Sequence, residues 1–72
     1  MSRWLAYDLT GETPNHPLGY VDEPDGGPYA IEIARAWWPT HPNVQVILPE
    51  HAHLLVRAGV LASAEPPPAA GP

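Results

Sequence analysis

Four histidines among 72 residues are the first groups to weigh as chemistry. In an extended chain His51-x-His53 would offer two imidazoles to one metal ion, with His16 or His41 and a carboxylate completing the set. On a helix, residues two apart splay, because only those three or four apart share a face. The segment around the pair reads as a helix, so solvated histidines are expected and no metal or cofactor. Asp22, Glu23 and Asp25 cluster where a hard cation would find oxygen ligands. They lack the alternating spacing of a calcium-binding loop, and Asp-Gly turn chemistry accounts for them. Nucleophilic catalysis finds no support. There is no cysteine, Ser2 and Ser63 lie in terminal segments, and Thr10, Thr13 and Thr40 have no motif around them. A glycine-rich phosphate loop needs a lysine, and the chain has none. So short a chain also has little room for a shielded pocket. The expectation is a protein that is not an enzyme.

The aromatic residues say more. Trp37 and Trp38 are adjacent, so on a strand they point to opposite faces. A small core buries one; the other is covered by a partner, by the long loop or by the N-terminal strand, or is left wet. Tryptophan is enriched where binding energy concentrates. The candidate protein-interface residues are Trp4, Tyr20, Trp37 and Trp38, together with the run Pro66, Pro67 and Pro68. That run favours polyproline II, which has little ordering entropy left to lose on docking.

Composition narrows the class of partner. Eleven prolines and six glycines approach the density of low-complexity chains, and only 15% of residues are charged. Eight acids against three arginines give a net charge of −5. That balance opposes binding to nucleic acid, which needs cations to displace counterions, and to an anionic membrane surface. No apolar stretch is long enough to span a bilayer, and the N-terminal apolar patch, broken by Asp8, is too short for a secretory signal. A chain of this size is marginal alone and usually relies on disulfides, metals or neighbours. Without cysteine, neighbours are the expected support.

Residues 3–9 alternate loosely, with Leu5, Tyr7 and Leu9 on one face, and read as a strand. Residues 10–28 hold eight Gly or Pro positions and read as a long loop, with at most a short strand around Tyr20 and Val21. Residues 29–38 read two ways. A strand puts Tyr29, Ile31, Ile33 and Trp37 on one face; a helix makes a stripe of Ala30, Ile33, Ala34 and Trp37, with Pro28 in its first turn. Pro39 forces Trp38 out of a helix, and the strand is preferred. Residues 44–48 are β-branched and apolar, a strand. Residues 49–58 read as a helix: Pro49 and Glu50 suit its start, Ala52, Leu55 and Val56 form its apolar face, and Arg57 suits its last turn. Gly59 supplies a left-handed stop, with Val60 folding back on Leu55. Residues 62–72 form an extended tail.

Pro14-Asn15-His16-Pro17 recurs as Pro39-Thr40-His41-Pro42, 25 residues later. Coincidence explains so short a match; the structural alternative is two hairpins, each turning at a Pro-x-His-Pro corner.

From His41-Pro42 through Val44-Gln45-Val46-Ile47-Leu48-Pro49-Glu50-His51-Ala52 to Ala58-Gly59-Val60, the chain resembles small acidic bacteriophage virion proteins. These carry a His-Pro turn, a strand, a Val-x-Val-Pro-Glu-x-Ala turn into a short helix, and an Ala-Gly stop before a large apolar residue. Here two residues separate Val46 from Pro49 where the pattern has none, and Val60 stands where an aromatic is usual. The resemblance covers under half of the chain. It implies a structural role on a capsid or at a head–tail junction, with no catalytic residues to carry over.

The expected fold is α+β: a small β-hairpin or sheet, one C-terminal helix and extended arms at both ends. Residues 1–28 form a strand and a Gly/Pro-rich arm, 29–61 a hairpin–helix module, and 62–72 a Pro/Ala-rich tail. The expected function is that of a minor virion component, a capsid decoration or head-completion protein. Its partners are other virion proteins, above all the major capsid protein, or copies of itself, and neither nucleic acid nor membrane. Its place is the phage particle, otherwise the cytoplasm of a bacterial host. The alternative is a free-standing bacterial adaptor or inhibitor with an acidic binding face.

Overall fold

The computed structural model describes residues 3–10 and 14–66. Strand β1, Arg3–Asp8, is the centre of an antiparallel sheet of order β2-β1-β3. Strand β2, Gly19–Asp22, pairs along one side with Trp4 opposite Val21 and Ala6 opposite Gly19. Strand β3, Val44–Ile47, pairs along the other with Leu5 opposite Ile47 and Asp8 opposite Val44. Helix α1, Gly27–Trp37, connects β2 to β3. The connection passes the antiparallel strand between them, so β2, α1 and β3 form a split β–α–β unit. After β3 the chain makes a 3-10 turn, Pro49–His51, and a short helix α2, Ala52–Arg57.

The α+β class, with its small antiparallel sheet and short C-terminal helix, is what the sequence led one to expect. The strand expected at 29–38 is corrected: this segment is α1, and the described residues carry two α-helices. The reason lies in its alanines. Helical spacing sets Ala30 and Ala34 together on the sheet, both fully buried, and turns Glu32 and Arg35 to solvent. A strand would have gained nothing from four-residue spacing. Alanine is also the best helix former, and Pro28 fits the first turn. Pro39 does bar continuation, and it ends the helix at Trp37. No hairpin joins 29–38 to β3, whose partner is β1. The N-terminal segment is therefore the middle of the sheet, and the boundary at residue 28 separates no independent units.

Alternation along β1 builds two cores. Trp4 and Ala6 face α1, where Ala6, Val21, Ala30, Ala34 and Val44 are fully buried, with Trp4, Leu18, Ile33, Trp38 and Val46 packed around them. Leu5 and Tyr7 face α2, where Leu5, Ala52 and Leu61 are buried beneath Tyr20, Ile47, Leu55 and Val56. Both faces of the sheet are thus covered, and β1 is buried on both.

The stop of α2 matches its sequence signals. Val60 N–H donates to Leu55 O at 2.9 Å and Gly59 N–H to Val56 O at 3.1 Å, a Schellman ending with Gly59 at φ 79°. A side chain at position 59 would meet nothing within 4 Å, so the cost of one is conformational and not steric crowding. Gly59→Val is expected to lose about 1–2 kcal/mol in urea unfolding; a loss below about 0.3 kcal/mol would contradict the role given to the left-handed turn. Beyond it, Leu61 is buried and bridges Asn15: Asn15 N–H donates to Val60 O and Ala62 N–H to Asn15 O. Ala64 then packs on the α2-side core, so the tail contributes to packing further than expected.

Candidate functional site

The expected interface residues divide into two groups. Trp4 is half-buried; its ring lies over Gly27 and its indole N–H donates to Glu23 O at 3.0 Å. Tyr20 packs in the α2-side core, with the Arg3 guanidinium 5.0 Å from its ring centroid. Trp38, just past the end of α1, packs on the α1-side core. These three rings hold the fold together. Trp37 is different: it is 44% exposed, its ring edge-on to that of Trp38 at 5.8 Å and 68°. The opposite-face argument for the pair is corrected in mechanism, since the residues end a helix, but one ring does face the core and one solvent.

Tyr29, which the sequence reading did not single out, is 55% exposed on α1. Tyr29, Ile33 and Trp37 follow at four-residue intervals along one side of the helix. Ile33 is half-buried between the two rings, so an apolar stripe borders the α1 core on its wet side. The four-residue spacing was the available signal, and the strand reading concealed it. Pro66 is half-buried, while Pro67 and Pro68 lie outside the described residues.

A second cluster forms at the Asp8 end of β1. Asp8 is 8% exposed and lies on the α1 side of the sheet. It accepts from Thr10 N–H at 2.8 Å, and its second oxygen meets His41 Nδ1 at 2.5 Å. Burial alone would raise the carboxyl. The Thr10 amide and hydroxyl, the His41 bond and the His41 charge outweigh it, holding Asp8 below the usual carboxylate range. An ionised carboxylate only accepts, so His41 Nδ1 carries the proton. Asn43 Nδ2 donates to Thr10 Oγ1 at 2.7 Å, and Asn15 Nδ2 reaches the Asp8 and Thr10 carbonyls. His41 N–H donates to Trp38 O and Val44 N–H to His41 O. The corner thereby ties the end of β1 to the turn between α1 and β3. It was missed because Asp8 read only as a break in an apolar patch, and its partner is 33 residues away.

The two Pro-x-His-Pro segments do not form matched hairpin corners. His41 is held by Asp8, whereas His16 is exposed in the connection between β1 and β2, and residues 39–42 connect a helix to a strand. His51 and His53 are both exposed, His53 Nδ1 lying 3.1 Å from Glu50 O. No three metal-ligating side chains converge among the described residues. In the acidic loop, Glu23 Oε1 accepts from Asp25 N–H, and Asp22 makes an exposed 3.4 Å contact with Arg3.

Among the described residues, no helix is long and apolar enough to cross a membrane. The fold and surface define a small α+β domain whose sheet is covered by helices on both faces. Comparison with protein-family models, curated proteins and solved structures finds no match to this chain.

Proposed function

We propose that this chain is a non-enzymatic structural protein, a minor component of a phage particle that docks on a multi-subunit shell as a capsid decoration or head-completion protein. The observation that carries the docking role is the stripe on α1. Trp37 and Tyr29 stand open on a chain whose other tryptophans, Trp4 and Trp38, pack against its core. A marginal chain gains from spending such rings on a partner, since anything that binds only the folded state stabilises it. The virion assignment rests on the strand-to-helix pattern at 41–60, and β3, the 3-10 turn and the Gly59 stop adopt the local structure that pattern calls for.

The test is the particle itself. Mass spectrometry of virions purified from the source is expected to find the chain at a copy number fitting a symmetric shell or ring. Trp37→Ala is expected to weaken incorporation about 30-fold, the scale of an interface hot spot. The same variant should leave the thermal midpoint within about 3 °C, because the ring contributes little to the core. Purified particles without the chain would overturn the virion assignment, and full incorporation of Trp37→Ala would overturn the docking stripe.

A further inference from the structure

The outer edge of β3 carries a hydrogen-bonding pattern that is its own complement. Leu18 N–H donates to Ala6 O at 2.7 Å, so Ala6 turns its backbone polar groups towards β2. Backbone groups of successive strand residues alternate in direction, so Leu5 and Tyr7 turn theirs towards β3. Their partners are Ile47 and Gln45. Val44 and Val46 therefore direct their amides and carbonyls away from the sheet, as does Leu48, which is still extended at φ −63° and ψ 135°. Two of these outward groups close within the chain. Val44 N–H donates to His41 O at 3.1 Å, and Leu48 O accepts from His51 N–H at 2.8 Å. Val44 C=O, both groups of Val46 and Leu48 N–H remain open, with no partner among the described residues.

We propose that two copies of this chain pair antiparallel through β3 about a two-fold axis at Val46, joining their sheets into one. In that register Val46 N–H meets the partner's carbonyl at the same position, and reciprocally. Val44 C=O meets the partner's amide at position 48, again reciprocally. Every open group finds a mate, and the two groups already closed inside the chain are the two this register does not use. A two-fold interface demands such self-complementarity.

Charge favours the same edge. Val44 to Leu48 contains no charged residue, no proline and no bulge against β1, three of the devices that protect an edge. The opposite edge, β2, carries a charge: Asp22 is exposed and held across the strand by Arg3. Side chains of β3 are covered by α1 on one face and pack in the α2-side core on the other, leaving backbone as the recognition element. A second copy is the occupant that offers this pattern in the matching register.

Sedimentation velocity on the full chain, from about 5 to about 500 µM, is expected to show a monomer converting to a dimer. Amide exchange by NMR over the same range should show Val46 and Leu48 gaining protection with concentration, while Gln45 and Ile47 stay protected throughout. Val46→Pro removes an outward amide, at an edge-strand position of the kind that tolerates proline, and should weaken dimerisation at least about 10-fold. Should that variant fail to fold, the exchange pattern of the unaltered chain decides. A chain that stays monomeric at the highest concentration overturns the proposal. So does a dimer in which the Val46 and Leu48 amides exchange as fast as in the monomer.

Discussion

Leu5→Ala is expected to destabilise the chain by about 3–5 kcal/mol, the range for a leucine fully buried in a rigid core. Leu5 is the only large side chain that β1 buries completely, and it is fully enclosed between Ala52, Leu61 and the surrounding ring of half-buried residues. The neighbours cannot collapse into the space left behind. β1 is fixed by ladders on both sides, and Leu61 by the Asn15 bridge. The loss is large against the total. A chain of this length has roughly 4–10 kcal/mol of stability in all. Among the described residues, half of the fully buried apolar ones are alanines, which bury little area each. Urea unfolding followed by tryptophan fluorescence measures the change, with Leu9→Ala, at an exposed residue, as a control expected to move stability by less than about 0.5 kcal/mol. If Leu5→Ala costs under about 1 kcal/mol, the α2-side core is not the support described here.

How much of this was readable beforehand depends on how local the deciding physics was. The Gly59 stop, the start at Pro49 and the β-branched run at Val44 are set by neighbours within a few residues, and the structure follows them closely. Residues 29–38 were not decidable that way, because Ile31, Ile33 and the two tryptophans suit a strand as well as a helix. What decides is the close approach that Ala30 and Ala34 permit against a sheet built from residues 3–8 and 19–22, a tertiary fact. Once that segment is helical, the split β–α–β connection follows, and β1 becomes central where a strand with a loose arm was expected. The aromatic candidates divide into packed and exposed rings for the same reason. Aromatic identity alone cannot separate Trp4, whose ring lies over Gly27, from Trp37, which the same helix leaves wet. The Asp8–His41 contact joins residues 33 apart, and no spacing rule reaches that far.

That contact supplies a pH dependence whose sign is fixed. Asp8 is held below its ordinary value in the folded chain by Thr10 and His41, against the effect of burial. An unfolded aspartate titrates near pH 4. The stabilisation is therefore fully present above that point, and it is lost as pH falls through the lower folded value. Neutral Asp8 would also hold one proton too many for a corner in which Thr10 N–H and His41 Nδ1 both need an acceptor. Asp8→Asn keeps the shape but removes the ionised acceptor, and is expected to cost about 1–3 kcal/mol at pH 7. The gap in stability between the natural chain and Asp8→Asn, from urea unfolding at a series of pH values, should be open at about pH 5 and close below about pH 4. The difference isolates Asp8 from the exposed acids, which both chains share. A gap that stayed constant down to about pH 2 would mean that the carboxylate charge contributes nothing to the corner. The turn that it ties carries Trp38 at one end and the first residue of β3 at the other. Loosening it by acid should therefore disturb the packing of Trp38, and tryptophan fluorescence of the natural chain should change as the gap to Asp8→Asn closes.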